Sequence, residues 1–158
     1  MSELSHSEYA AAARAKKRAE AEAVGINADF ISDMVERFYG PVRSDPMLGP
    51  IFEDRIDDWP KHLGRMKIFW GSVLHNSGEY AGNPMQKHLA IPGLEFAHFE
   101  RWLELFFATL RDLEGHPAAS EQVGVKARNI ANSLLLSRTA QRSDLSGINA
   151  GKDLPHVS

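Results

Sequence analysis

The sequence of 158 residues contains no cysteine. Without a thiol the chain forms no disulfide, zinc thiolate, iron–sulfur cluster or thioether link to a cofactor, and it has no nucleophilic cysteine. Long apolar runs are also missing, since none approaches the roughly 18 residues that suggest a transmembrane helix. No signal-peptide pattern opens the sequence. We therefore expect a cytoplasmic protein that does not enter a membrane.

The sequence shows only a small excess of acidic residues and no pattern typical of strands. Its 18 Lys and Arg residues are interleaved with 21 Asp and Glu, and the net charge is −3. This balance gives no reason to expect nucleic acid as a partner. No internal repeat or glycine-rich phosphate loop is found. With 43% hydrophobic residues, the chain can form one all-α domain with room for a cofactor.

Composition divides the chain into three parts. In residues 1–25 the stretch AAARAKKRAEAEA has no large apolar side chains and nothing to bury, so we expect a solvated helix or a disordered appendage; an arm that docks on a partner is the alternative. Residues 26–141 should form the folded domain. Residues 142–158 are polar and rich in glycine, which predicts a disordered tail.

Within the folded part, apolar side chains recur at helical spacing in four long segments. A short fifth helix is expected between the second and third, with Asn83 as its N-cap and Pro84 in its first turn. The segment DPMLGPIFEDRIDD carries prolines, a glycine and many acids, so we expect a tight connection rather than a helix there. The four long helices are predicted at residues 27–43, 59–74, 94–113 and 117–141.

Two histidines belong to helices that can face each other. His62 falls on the apolar stripe of the second long helix, together with Trp59, Met66 and Phe69. His88 lies on the short helix. Either histidine alone would more often be a hydrogen-bonded core residue than a ligand, but together they can point into one space from two sides.

Other chemical sites find less support in the sequence. Glu95 and His98 have the Glu-x-x-His spacing of di-iron bundles, but such a site needs this unit twice on facing helices. The second copy, Glu3 and His6, lies in the appendage. No glycine-flanked serine suggests a hydrolase elbow. The remaining histidines are expected at the surface: His6, His75, His98, His116 and His156.

The combination of residues favours haem. This cofactor needs an apolar slot, an imidazole ligand for its iron and cations for its two propionates. His88 can be the ligand, while Tyr39, His62 and Trp102 can meet over the opposite face. Tyr39 could instead lead its hydroxyl to water or to a backbone carbonyl. Arg65 or Lys87 can pair with a propionate, and the predicted walls are Phe38, Phe52, Met66, Phe69 and Ile130.

Four motifs, over about residues 27–140, resemble the group III truncated haemoglobins: FYGPVRSDPMLGPIF, WPKHLGRMKIFW, GNPMQKHLAIP and FERWLELF. The resemblance implies a two-over-two helical globin sandwich enclosing haem b (iron protoporphyrin IX). It implies that His88 is the proximal iron ligand and that Tyr39, His62 and Trp102 are the distal residues. It also assigns Arg65 to a propionate and places Phe38, Phe52, Met66, Phe69 and Trp70 in the haem pocket.

From this resemblance we expect a haem b protein that binds oxygen, nitric oxide or another diatomic gas. Three polar distal residues favour detoxification or redox chemistry, such as nitric oxide dioxygenation or peroxide-type reactions, over oxygen storage. Such chemistry would need a reductase or another electron donor. A haem-based gas or redox sensor that signals to a partner through the appendage is the alternative, and a haem-free helical interaction module is a third possibility.

Overall fold

The structure is a computed structural model that describes residues 5–82, 87–88, 90–113, 116–141 and 153–156. No strand occurs among these residues, and the all-α prediction is confirmed. Lys87 and His88 are helical, whereas the predicted cap residues Asn83 and Pro84 lie outside the described residues. The helices with defined bounds are α1 His6–Ala23, α2 Ala28–Ser44, α3 Gly49–Arg55, α4 Trp59–His75, α5 Phe96–Asp112 and α6 Pro117–Gln141.

The four long helices α2, α4, α5 and α6 begin and end close to the predicted positions. Side-chain caps fix two of the starts. The Asn27 side chain accepts a hydrogen bond from the Phe30 N–H at 2.8 Å, and the Asp58 side chain accepts one from the Lys61 N–H at 3.1 Å. These short polar side chains satisfy backbone donors that the first turn of a helix leaves unpaired.

The core lies where α2 packs against α4 and α5, and where α5 packs against α6. The apolar stripe of α5 is buried through Phe99, Leu103, Phe106 and Leu110, four residues at helical spacing. The stripe of α2 faces the same core and consists of Phe30, Ile31, Met34, Val35, Phe38, Tyr39 and Val42.

The expectation of a non-helical connection after α2 is wrong for Gly49–Arg55, which forms α3. The Asp45 carboxylate accepts a hydrogen bond from the Leu48 N–H at 2.9 Å, and this turn leads the chain into the helix. Pro50 lies in the first turn of α3, where a missing N–H costs nothing. A proline that suggests a loop is therefore compatible with a short helix when it stands in the first turn.

The appendage forms helix α1, and most of its side chains are exposed. Its C-terminal end nevertheless packs against α4, and Ala21 is buried there. The expectation that this segment has nothing to bury is therefore wrong at that end. A small alanine side chain allows a close approach between helices without a large apolar face.

The end of the chain also differs from expectation where it is described. Of the tail that was expected to be disordered, the structure describes residues 153–156. Leu154 is 1% exposed, and its carbonyl oxygen accepts a hydrogen bond from the Arg128 guanidinium at 3.4 Å. These residues therefore pack against α6.

Candidate functional site

A cavity of about 540 Å³ lies between the helices, within the range of about 300–1,000 Å³ that is usual for small-molecule and cofactor sites. Residues of α2, α3, α4, α5 and α6 line it, together with the segment between α4 and α5. The structure brings all twelve predicted site residues to this one cavity: Phe38, Tyr39, Phe52, His62, Arg65, Met66, Phe69, Trp70, Lys87, His88, Trp102 and Ile130.

Tyr39 and His62 meet in this cavity from two different helices. Their ring centroids are 5.2 Å apart and the rings are nearly perpendicular, at 88°. Phe52 of α3 also packs against Tyr39, with ring centroids 5.8 Å apart. Burial raises the pKa of the Tyr39 hydroxyl well above its ordinary value, so the phenol stays protonated and available as a donor.

His62 has a ring nitrogen without a protein partner. Its Nε2 atom is buried and makes no hydrogen bond to any residue that the structure describes. Burial lowers the pKa of His62, and the charges of Arg65 and Lys87 lower it further, so the imidazole is held in its neutral form. An unsatisfied buried polar atom costs about 1–3 kcal/mol. A polar ligand within the cavity would remove this cost.

Trp102 reaches the cavity from α5 and is fixed by aromatic neighbours. Its ring stacks on Phe106 with centroids 5.2 Å apart at an interplanar angle of 16°, and Phe38 meets it edge-on at 5.4 Å. Trp70 stacks on Phe106 in turn, at 5.3 Å. Such pairs hold a ring in one orientation, so the indole N–H of Trp102 has a fixed direction.

His88 lines the cavity from the segment between α4 and α5, beside Lys87. Phe69 of α4 packs edge-on against Tyr80 at 5.2 Å. The Tyr80 N–H donates to the Ser72 hydroxyl at 2.9 Å, which ties the start of this segment back to α4. Lys87 and Arg65 are exposed, so their charges border the cavity from the solvent side.

Sequence reasoning missed several residues of the cavity wall. Arg55, Tyr80 and His98 also line it. Arg55 was overlooked because α3 was expected to be a loop. His98 precedes Trp102 by one helical turn, and this spacing could have identified it. The Glu95 N–H donates to His98 Nδ1 at 3.1 Å, so the Glu-x-x-His unit serves as a helix cap.

The remaining histidines fall into two groups. His6, His116 and His156 are exposed, as expected. The expectation of a surface position is wrong for His75, which is buried and whose Nε2 lies 2.6 Å from the Ile26 carbonyl oxygen.

Within the part of the chain that the structure describes, no group of three or more potential ligands suggests a bare metal site. In the same part, no helix is both long and apolar enough to span a bilayer.

In this structure helices surround one cavity, with His88 on the segment between two helices and polar rings on the helices themselves. This is the arrangement of a globin. No family model matches the sequence. The chain is 39% identical to the group 3 truncated hemoglobin ctb of Campylobacter jejuni over a match of 89 residues. This match covers 54% of this chain and 70% of that relative.

The crystal structure of a group III truncated hemoglobin from Campylobacter jejuni superposes with a TM-score of 0.64 at 34% identity, covering 69% of this chain and 88% of that one. The chain therefore belongs to the group III truncated haemoglobins, a family of globin-type haem proteins that bind gas ligands. The predicted truncated globin fold and the predicted family are both confirmed.

Proposed function

We propose that the chain binds haem b, with His88 as the iron ligand, and takes up oxygen, nitric oxide or a similar diatomic gas. The observation that carries this proposal is the shared cavity, where His88 and three polar distal residues meet among apolar walls. When bound, haem supplies an iron centre that accepts the gas.

The residues that line the cavity fit the chemistry of haem. Its macrocycle is flat and apolar, and the walls include Phe38, Phe52, Met66 and Phe69. Its propionates are anionic and reach solvent, and Arg65 and Lys87 are exposed at the cavity border. Charge-assisted hydrogen bonds from these cations would fix the orientation of the cofactor.

In this proposal the distal residues have different roles. Tyr39 and Trp102 donate hydrogen bonds to the gas, because both rings are held by packing and present their O–H and N–H groups without moving. His62 acts as a gate. It lies near the start of α4, after Pro60, where a side chain can exchange between cavity and solvent.

Three polar groups around one ligand favour turnover of the gas over simple storage. We therefore propose detoxification or redox chemistry, such as nitric oxide dioxygenation or a peroxide-type reaction, with electrons from a separate reductase. A cytoplasmic location belongs to the same proposal. Cell fractionation and co-purification with a reductase would test these two points directly.

One observation favours a second candidate function, a haem-based gas or redox sensor. Helix α1 packs against α4, and α4 carries His62. A displacement of α4 on gas binding would therefore reach the appendage, which could pass it to a partner. Removal of residues 1–24 should then change the gas affinity; an unchanged affinity would rule out this coupling.

An absorption spectrum of the purified chain tests the proposed function, since haem has a strong visible band and a helical module without haem has none. His88→Ala should lose haem or hold it loosely, because the iron loses its protein ligand. His98→Ala is the matched control, as it also removes an imidazole from the cavity wall. Full haem content and an unchanged reduced spectrum in His88→Ala would show that another residue holds the iron.

A further inference from the structure

Trp59, the first residue of α4, stands behind the distal residues and does not line the cavity itself. Its ring centroid is 5.7 Å from that of His62, at an interplanar angle of 84°, and 5.8 Å from that of Tyr39. His62 follows Trp59 by one helical turn, so the two side chains share one face of α4. The indole therefore contacts both of the distal rings that come from α2 and α4.

A cation covers the same indole. The Arg43 guanidinium lies 4.2 Å from the centroid of the Trp59 ring, which is the geometry of a cation–π contact. Arg43 Nε is in turn 3.1 Å from a carboxylate oxygen of Glu53 on α3. The position of the indole is thus set by α2 and α3 as well as by its own helix.

The buried ring nitrogens of His62 and Trp59 are not held by hydrogen bonds to the described residues. His62 Nε2 and Trp59 Nε1 are both buried, and neither has a hydrogen-bond partner among the residues that the structure describes. Ring packing therefore holds these ends of the two side chains in place. If the indole were lost, the Tyr39 ring would be the remaining aromatic contact of His62 among the described residues.

We propose that Trp59, supported by Arg43, is a positioning residue that keeps His62 turned into the cavity and so sets how fast a gas enters. The proposal rests on the proposed function, because it assigns a cause to the gating by His62. Trp59 itself need not touch the gas. Its effect on entry should act through His62 alone.

Flash photolysis of carbon monoxide from the haem-loaded full chain measures the entry rate. Trp59→Leu should raise it by up to about tenfold if the outward state of His62 is populated at about 10% in the parent chain. Trp59→Phe, which keeps a ring, should restore the parent rate. In a His62→Leu background, Trp59→Leu should have no further effect. An equal effect with and without His62, or no effect in the parent chain, would overturn the proposal.

Two further measurements keep the proposal testable. Arg43→Met removes the cation over the indole and should also raise the entry rate. This variant tests the proposal even if Trp59→Leu does not fold. NMR relaxation dispersion on labelled histidine rings of the full chain should show a larger outward population of the His62 ring in Trp59→Leu than in the parent. This measurement does not need haem. If the chain bound no haem, the proposed function would be refuted, but the NMR comparison would still decide whether Trp59 positions His62.

Discussion

The Nε2 atom of His75 lies 2.6 Å from the carbonyl oxygen of Ile26. A carbonyl only accepts, so the imidazole must carry its proton on Nε2 and donate it. His75 is the last residue of α4, and Ile26 lies in the junction between α1 and α2. This buried hydrogen bond therefore fixes the far end of the helix that carries His62.

Replacing His75 by Leu should lower stability by about 1–3 kcal/mol, because the buried Ile26 carbonyl loses its donor. For a domain of this size each kcal/mol corresponds to roughly 2–4 °C in melting temperature. Thermal and urea unfolding would measure the change. His156→Leu, at an exposed position, serves as control, and equal melting temperatures for the two variants would contradict the prediction.

Local pattern explains what the sequence predicted correctly. Helical periodicity and caps such as Asn27 act over a few residues, so α2, α4, α5 and α6 could be located before the structure. The same periodicity placed His62 and Trp102 on apolar faces but Tyr39 only beside one, and the family resemblance was needed to assign the roles of all three.

The missed features depend on partners that are distant in sequence. His75 bonds to a carbonyl 49 residues away, and Leu154 is buried beside Arg128. The sequence around His75 and around Leu154 does not indicate these contacts. Trp59 was placed on an apolar stripe, but its cation partner Arg43 lies on another helix. Contacts between distant segments determine the surroundings of such residues, and helical periodicity does not predict these contacts.

Ala21 should be sensitive to size, unlike the other alanines of α1. It is 7% exposed where α1 packs against α4, whereas Ala19 on the same helix is exposed. Ala21→Gln should cost about 1–3 kcal/mol through overpacking, and Ala19→Gln should be nearly neutral. Thermal unfolding and the rate of proteolysis within α1 would measure both. If Ala21→Gln matches Ala19→Gln, α1 is not docked in solution.

Asp45 should make stability depend on pH. Burial alone would raise its pKa, but hydrogen bonds from the Leu48 N–H, the Arg101 guanidinium and the Met47 N–H outweigh this and lower the pKa. The carboxylate lies 2.7 Å from Arg101 Nε. Because the folded pKa lies below the unfolded one, Asp45 stabilises the fold above the ordinary aspartate pKa of about 3.9. This stability is lost as the pH falls through the lower folded pKa.

Asp45→Asn should therefore cost about 1.5–3 kcal/mol at pH 7, the value of a hydrogen bond to a charged group, and much less in strong acid. Urea unfolding of both chains from pH 7 down to pH 2 would show the two stabilities converge. Asp33→Asn is a suitable control, since Asp33 forms an exposed pair with Arg37 and such pairs contribute little. A constant difference across the pH range would show that the effect of Asp45 is steric.

Tyr39→Phe and Trp102→Phe should each speed the release of a polarised gas. A ligand that gains negative charge on binding accepts charge-assisted hydrogen bonds worth about 1.5–3 kcal/mol each. Since about 1.4 kcal/mol is tenfold, loss of one donor should raise the dissociation rate of oxygen roughly 10- to 100-fold. Stopped-flow displacement measures this rate. Ile130→Val changes the same cavity without removing a donor, and a similar acceleration in that variant would mean that volume, not hydrogen bonding, controls release.

His62→Leu should instead alter mainly the association rate. The imidazole is neutral because burial lowers its pKa, helped by the charges of Arg65 and Lys87. A neutral ring whose Nε2 has no hydrogen-bond partner among the described residues can leave the cavity at low cost, which suits a gate better than a fixed donor. Flash photolysis gives the association rate and stopped-flow the dissociation rate on the same samples. If His62→Leu speeds release as strongly as Tyr39→Phe and leaves entry unchanged, His62 is a direct donor and the division of roles is wrong.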